Sequence, residues 1–140
     1  MNKYASVIIC IDKEGSVLIL KRSPAVGTYS NHWCFPGGRI DPGETPESAA
    51  VRELKEETSL VAKEKNLVYF HSLNKGEKEI CFFLTQKWSG SVEIDWESSD
   101  FLWVTPSEIR NPSKELYEED FLPTPPIVLD LIELWIDQNL

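Results

Sequence analysis

No cysteine pair, no membrane-length apolar run and no surplus of positive charge is found in this 140-residue chain. Its three cysteines, Cys10, Cys34 and Cys81, are odd in number, widely spaced and free of any Cys-x-x-Cys pattern. A disulfide framework or a thiolate zinc site is therefore not expected. Each thiol reads as a reduced, buried, small side chain. No apolar stretch approaches the roughly 20 residues of a membrane helix. The N-terminus, Met1-Asn2-Lys3-Tyr4, leads straight into an apolar segment without the design of a secretory signal. The cytoplasm is the expected compartment. Basic residues number 14 against 23 acidic ones, for a net charge of −9. Such a chain does not gather nucleic-acid polymers or anionic membranes around itself, so neither is an expected partner. If it handles phosphates, positive charge must come from elsewhere, and a metal ion is the obvious source. Internal repeats and linkers are missing as well.

What is present is a globular composition, 41% hydrophobic and 26% charged, which is wrong for a disordered chain. A folded monomer of this mass exposes roughly 7,400 Å² against about 23,200 Å² for the extended chain, enough burial for one core. A single domain over residues 1–140 is expected, as a monomer or a homodimer.

Residues 5–11 and 16–20 are apolar, largely β-branched or leucine-rich runs around the turn Asp12-Lys13-Glu14-Gly15. They read as a hairpin whose strands are covered on both faces. Trp33-Cys34-Phe35 is a brief strand stopped by Pro36-Gly37-Gly38, with Arg39-Ile40 a further short one. Thr45-Pro46 opens a helix running to about Glu57, with Thr45 as cap and Pro46 at the first helical position. Strands are expected over residues 67–72, 79–87 and 101–104. Thr105-Pro106-Ser107-Glu108 is a capping box. A last helix starts near Ile127, with Ile127, Leu131, Leu134 and Trp135 on one face. The pattern is that of an α/β domain with a mixed sheet between helices.

Within the mid-chain helix, Glu53, Glu56 and Glu57 share one face at offsets of three and four. Like charges at that spacing repel by a few tenths of a kcal/mol per pair. A cation reverses the sign, and carboxylate oxygens suit Mg²⁺ or Mn²⁺. Taken alone, an acidic helix face is a solvated face. Its neighbours change the reading. Arg52 can orient a carboxylate through paired hydrogen bonds, Gly37-Gly38 lets backbone approach a ligand, and Glu44 sits on the loop feeding the helix.

This segment resembles the Nudix box, Gly-x5-Glu-x7-Arg-Glu-U-x-Glu-Glu-x-Gly-U, with U a bulky aliphatic residue. Gly38, Glu44, Arg52, Glu53, Leu54, Glu56, Glu57 and Leu60 match at the required spacing, and Ser59 stands where the family has glycine. The box spans residues 38–60. The resemblance, to MutT-like members in particular, implies a Nudix α/β/α sandwich with a central mixed sheet. It implies a metal-dependent hydrolase of a nucleoside diphosphate linked to another moiety, here expected to be a (deoxy)nucleoside triphosphate releasing the monophosphate and pyrophosphate. A non-catalytic nucleotide-binding or regulatory module is the alternative, although such members normally lose box carboxylates that this chain keeps. By similarity, Glu53 and Glu57 are the principal metal ligands, with Glu56 and sometimes a residue like Glu44 in support, while Arg52 orients Glu53. Gly38 is included among the metal positions. Glu97, upstream of the strand containing Trp103, is a further candidate ligand or general base. Arg22, Phe35, Gly37, Gly38 and Thr124 are the expected substrate contacts. Thr124 stands where MutT-like enzymes carry a base-reading asparagine.

Overall fold

The computed structural model describes residues 2–112 and 121–140. Strands β1 (Asn2–Cys10), β2 (Val17–Arg22), β3 (Trp33–Cys34) and β4 (Gly37–Arg39) come first. Helix α1 (Pro46–Thr58) follows, then β5 (Val68–Lys75), β6 (Lys78–Thr85) and β7 (Ser98–Val104). The short α2 (Pro106–Arg110) and α3 (Pro126–Asn139) complete the order. The strands form a four-stranded sheet ordered β4-β1-β6-β5 and a three-stranded sheet ordered β3-β2-β7. The larger sheet is mixed: β1 runs parallel to β6 and antiparallel to β4.

The expected β1–β2 hairpin is corrected. The two strands belong to different sheets and touch through one bridge, Ile11 to Val17. A strand has two hydrogen-bonding edges, and those of β1 are taken by β4 and β6. Beyond the turn, held by Asp12 Oδ1 accepting from Glu14 and Ser16 N–H groups, β2 must pair with β3 and β7. Gly37 and Gly38 are also corrected, from strand terminators to members of β4. A Cβ on Gly37 would collide with the Ser6 carbonyl of β1, so glycine permits this pairing.

Burial on both faces explains the unbroken apolar runs. Ile8, Cys10, Leu18, Leu20, Cys81 and Phe83 pack with Ala50 and Leu54 of α1. Their strand neighbours Ile9, Ile11, Val17, Ile19, Phe82 and Leu84 pack with Val128, Leu129 and Ile132 of α3. This is the α/β/α sandwich with a mixed sheet between its helices. The buried face of α3 therefore differs from the expected one: Ile127 and Leu134 are exposed. Ile127-Val128-Leu129 and Leu131-Ile132 are continuously apolar, so periodicity alone does not choose the face. Cys10 and Cys81 are buried, Cys34 is half-buried, and all three are free thiols. No helix among the described residues is long and apolar enough to cross a membrane.

Candidate active site

Helix α1 starts where its sequence says it should. Thr45 Oγ1 accepts from the Ser48 N–H at 3.1 Å and Ser48 Oγ accepts from the Thr45 N–H at 3.1 Å, a reciprocal cap over Pro46. Ser6 Oγ of β1 donates to the Pro46 carbonyl at 2.7 Å and pins this end to the sheet. The caps fix where the turn carrying Arg52, Glu53, Glu56 and Glu57 faces.

Arg52 organises that turn. Its Nε and Nη2 donate to Glu44 Oε2 and Oε1 at 2.8 and 2.9 Å, a bidentate pair. Nη1 donates to Glu53 Oε1 at 2.9 Å and Glu56 Oε2 at 3.1 Å. Nη2 also donates to the Arg39 carbonyl at 3.0 Å. The Glu44 hydrogen bonds and the neighbouring carboxylates push the Arg52 pKa up, so the guanidinium is a permanent charge. Glu44 is held below the usual carboxylate range by Arg52 and the Asp41 N–H. With both oxygens engaged, Glu44 serves here as the orienter of Arg52. Arg52 in turn donates to Glu53.

Glu57 is the anomalous group, buried at 9% exposure. Burial first, then a hydrogen bond to Glu53 and the Glu53 charge, push its pKa well above the usual carboxylate range. The Gly37 N–H, donating at 3.4 Å, acts in the opposite direction. The Glu53 carboxyl lies directly against Gly38, where an added Cβ would fall 2.5 Å from it. A side chain at position 38 would displace the Glu53 carboxyl from this place.

A cleft of about 210 Å³ opens here, lined by Arg22, Phe35, Gly37, Gly38, Glu57 and Glu97 among others. Glu97 is brought in by the smaller sheet. The β2–β7 register sets Arg22 opposite Ser98, and the Ser23 N–H donates to the Glu97 carbonyl at 2.8 Å. Burial, then Asp95 and Glu53, raise the Glu97 pKa. Arg22 is positioned by donating to the Thr28 carbonyl at 2.9 Å and to Thr28 Oγ1 at 3.2 Å. Glu56 is 56% exposed and stands at the outer edge. Thr124 lies outside this cleft, in an adjoining apolar pocket of about 130 Å³ that shares Val7, Cys34, Phe35, Ile80 and Leu122 with it. Its hydroxyl donates to the Leu122 carbonyl at 3.1 Å.

Sequence reasoning did not anticipate Cys34, Ile80 and Leu122 as cleft residues. Cys34 has its thiol pushed up to about 12 by burial and by Glu57, which makes it a wall and not a nucleophile. Nothing local marked the other two. They arrive through pairing, with Leu122 set by its N–H donating to the Trp33 carbonyl at 2.6 Å.

The donors suit a divalent cation: the Glu53, Glu56, Glu57 and Glu97 carboxylates are hard oxygens, as is the Gly38 carbonyl. Two carboxyl groups packed against each other, one of them buried, are what a cation between them would relieve. Among the described residues no three carboxyl, imidazole or thiol groups already surround one point in ligand geometry; Arg52 and the Gly37 N–H hold these carboxylates instead.

The NUDIX domain model matches residues 1–124. An 8-oxo-dGTP diphosphatase of Escherichia coli is 33% identical over 92 residues, covering 64% of this chain and 71% of the relative. An RNA pyrophosphohydrolase of Actinobacillus succinogenes is 34% identical over 93 residues, covering 59% of this chain and 44% of the relative. Among solved structures, one of MutT, from a study of the Aliivibrio salmonicida and Vibrio cholerae proteins, superposes with a TM-score of 0.72 at 22% identity, covering 99% of each chain. With the family model spanning most of its length and the MutT fold spanning nearly all of it, the chain belongs to the Nudix family and is a MutT-like Nudix hydrolase.

Proposed function

We propose that this chain, acting as one domain over residues 1–140, hydrolyses a (deoxy)nucleoside triphosphate to the monophosphate and pyrophosphate. The observation that carries the reading is the buried Glu57 carboxyl, accepting from the Gly37 N–H in a cleft that Arg22 and Glu97 also line. The relatives named as an 8-oxo-dGTP diphosphatase and an RNA pyrophosphohydrolase support the reaction class. Nudix hydrolases generally need divalent metal ions. Mg²⁺ or Mn²⁺ would be held here by Glu53 and Glu57, with Glu56, Glu97 and the Gly38 carbonyl as further oxygens. Such an ion, when bound, neutralises phosphate charge and acidifies water.

The chain's own residues do the rest. Arg52 holds Glu53 and Glu56 in fixed rotamers, so that their oxygens need no reordering as substrate arrives. Arg22 faces the phosphates as a fixed positive charge. The Gly37-Gly38 backbone lets the diphosphate approach α1. Water attacks a phosphorus atom, the bridging P–O bond breaks, and the water's proton passes to a cleft carboxylate, with Glu57 and Glu97 as the groups in position. The nucleoside occupies the adjoining apolar pocket against Phe35, with Thr124 at its polar edge.

A nucleotide panel assayed with Mg²⁺, its products separated by chromatography, tests this. Nucleoside monophosphate and pyrophosphate are expected, with activity lost in excess chelator and restored by Mg²⁺ or Mn²⁺ better than by Zn²⁺. Absence of turnover on every nucleotide with metal present, or full turnover in chelator, overturns the reading.

A further inference from the structure

In a chain of net charge −9, only Arg52 and Arg110 make ion pairs among the described residues, and two of the remaining cations share one aromatic ring. Arg39 of β4 and Lys78 of β6 both lie over the ring of Tyr4 on β1, the residue that follows Lys3. The Arg39 guanidinium carbon lies 5.0 Å, and Lys78 Nζ 4.4 Å, from the Tyr4 ring centroid. Among the described residues, none of the three makes a side-chain ion pair or hydrogen bond. Glu79 lies beside Lys3 in the strand register, and Glu77 precedes Lys78. Asp41 and Glu44, which share the cavity, are engaged by Arg52. The Tyr4 ring does what a carboxylate would otherwise do: it holds two like charges together, and it leaves their N–H donors unused.

Lys3, Tyr4, Arg39 and Pro46 line a cavity of about 380 Å³, together with the carboxylates of Asp41 and Glu44, and Lys78 sits over the Tyr4 ring that forms part of its wall. None of its residues lines the catalytic cleft. Pro46 opens the 13-residue α1, whose positive end adds to the field. We propose that this cavity is a second anion site, which takes a di- or triphosphate group through Lys3, Arg39 and Lys78. The guanidinium fork of Arg39 matches paired phosphate oxygens, and the two ammonium groups supply point charges. The site touches the catalytic machinery through Arg52, which bonds the Arg39 carbonyl and the Glu44 carboxylate and pairs with Asp41. The phosphate is either free pyrophosphate or the chain of a nucleotide already held in the cleft.

The test is a thermal melt of the whole chain, stripped of divalent ions and desalted, with inorganic pyrophosphate titrated in. It needs neither metal nor hydrolysis, so it stands apart from the test of the reaction. Saturating pyrophosphate should raise Tm by about 2–4 °C. Arg39→Gln and Lys78→Gln should each weaken the midpoint concentration at least about fivefold, while Arg22→Gln leaves it within about twofold. With metal and a nucleoside triphosphate, a matching rise in KM in Arg39→Gln and Lys78→Gln assigns the site to the substrate's own phosphates. An unchanged KM assigns it to free pyrophosphate. A Tm that does not move, a shift that survives both variants, or one that Arg22→Gln abolishes overturns the proposal.

Discussion

Ser59 replaces the glycine of the family motif, and the structure allows its energetic consequence to be worked out. The residue ends α1 with φ 66° and ψ 1°, a left-handed conformation, and its N–H donates to the Lys55 carbonyl at 2.9 Å. A side chain with a Cβ pays roughly 1–2 kcal/mol there. Glycine avoids that cost but loses more freedom on folding, by about 0.4–1 kcal/mol. The net strain relieved by glycine is then about 0.5–1 kcal/mol. Against this stands a contact that glycine cannot make: Ser59 Oγ donates to the Glu93 carbonyl at 3.2 Å. It is long and exposed, so about 0.5 kcal/mol is a fair value.

Two variants separate the terms. Ser59→Ala keeps the strain and loses the hydrogen bond, and should be less stable than the parent by about 0.5 kcal/mol. Ser59→Gly loses both, and should match the parent or exceed it by up to about 0.5 kcal/mol. Glycine should therefore beat alanine by about 0.5–1 kcal/mol, a Tm gap of roughly 2–4 °C for a chain of this size. Urea melts with unchanged m-values provide the assay, with turnover measured alongside. Ser59 lines no part of the cleft, so both variants should keep kcat within about twofold. Alanine as stable as glycine would refute the strain argument. A collapse in kcat would refute the assignment of Ser59 to the end of the helix alone.

Glu53→Gln and Glu57→Gln should each lower kcat at least about a hundredfold, with circular dichroism unchanged, because each removes a charge from the proposed ligand set. Glu97→Gln should cost more than about threefold, and a smaller loss in steady-state assays would place Glu97 among the loop carboxylates without a role. Arg52→Lys keeps the charge but cannot hold Glu44, Glu53 and Glu56 together, and should lower kcat about tenfold or more while leaving circular dichroism unaltered. In metal-free protein the raised Glu57 pKa means that the folded state binds more protons than the unfolded chain above about pH 4.3. Its contribution to stability therefore falls as pH rises from there through the folded pKa. Urea melts across pH should show Glu57→Gln gaining on the parent over that window, and parallel curves would count against the buried-carboxyl assignment.

The parts of this molecule legible in its sequence are those whose determinants lie close together along the chain. The caps at Thr45 and Thr105 form as read because each needs residues only three positions apart. The carboxylate face of α1 was legible for the same reason, since helix geometry alone brings Glu53 to Glu57 and Arg52 to Glu56. The errors all concern distant partners. The run from residue 5 to residue 20 reads as a hairpin because a turn sits in its middle, but nothing in it shows that β4 and β6 will claim both edges of β1. α3 is apolar over well more than half its circumference, with Asp130, Glu133 and Asp137 on the remaining stripe, so which part of the apolar side is buried is chosen by the sheet it meets. The proposed nucleoside pocket shows the same limit. Phe35, Ile80 and the pair Leu122 and Thr124 come from three separate segments, and the bridge from Trp33 to Phe121 is what draws the last two residues in. In this chain the proposed chemistry sits mainly on one helical turn and the proposed recognition on long-range pairing. A reader of the sequence therefore reaches the reaction class first and the base last.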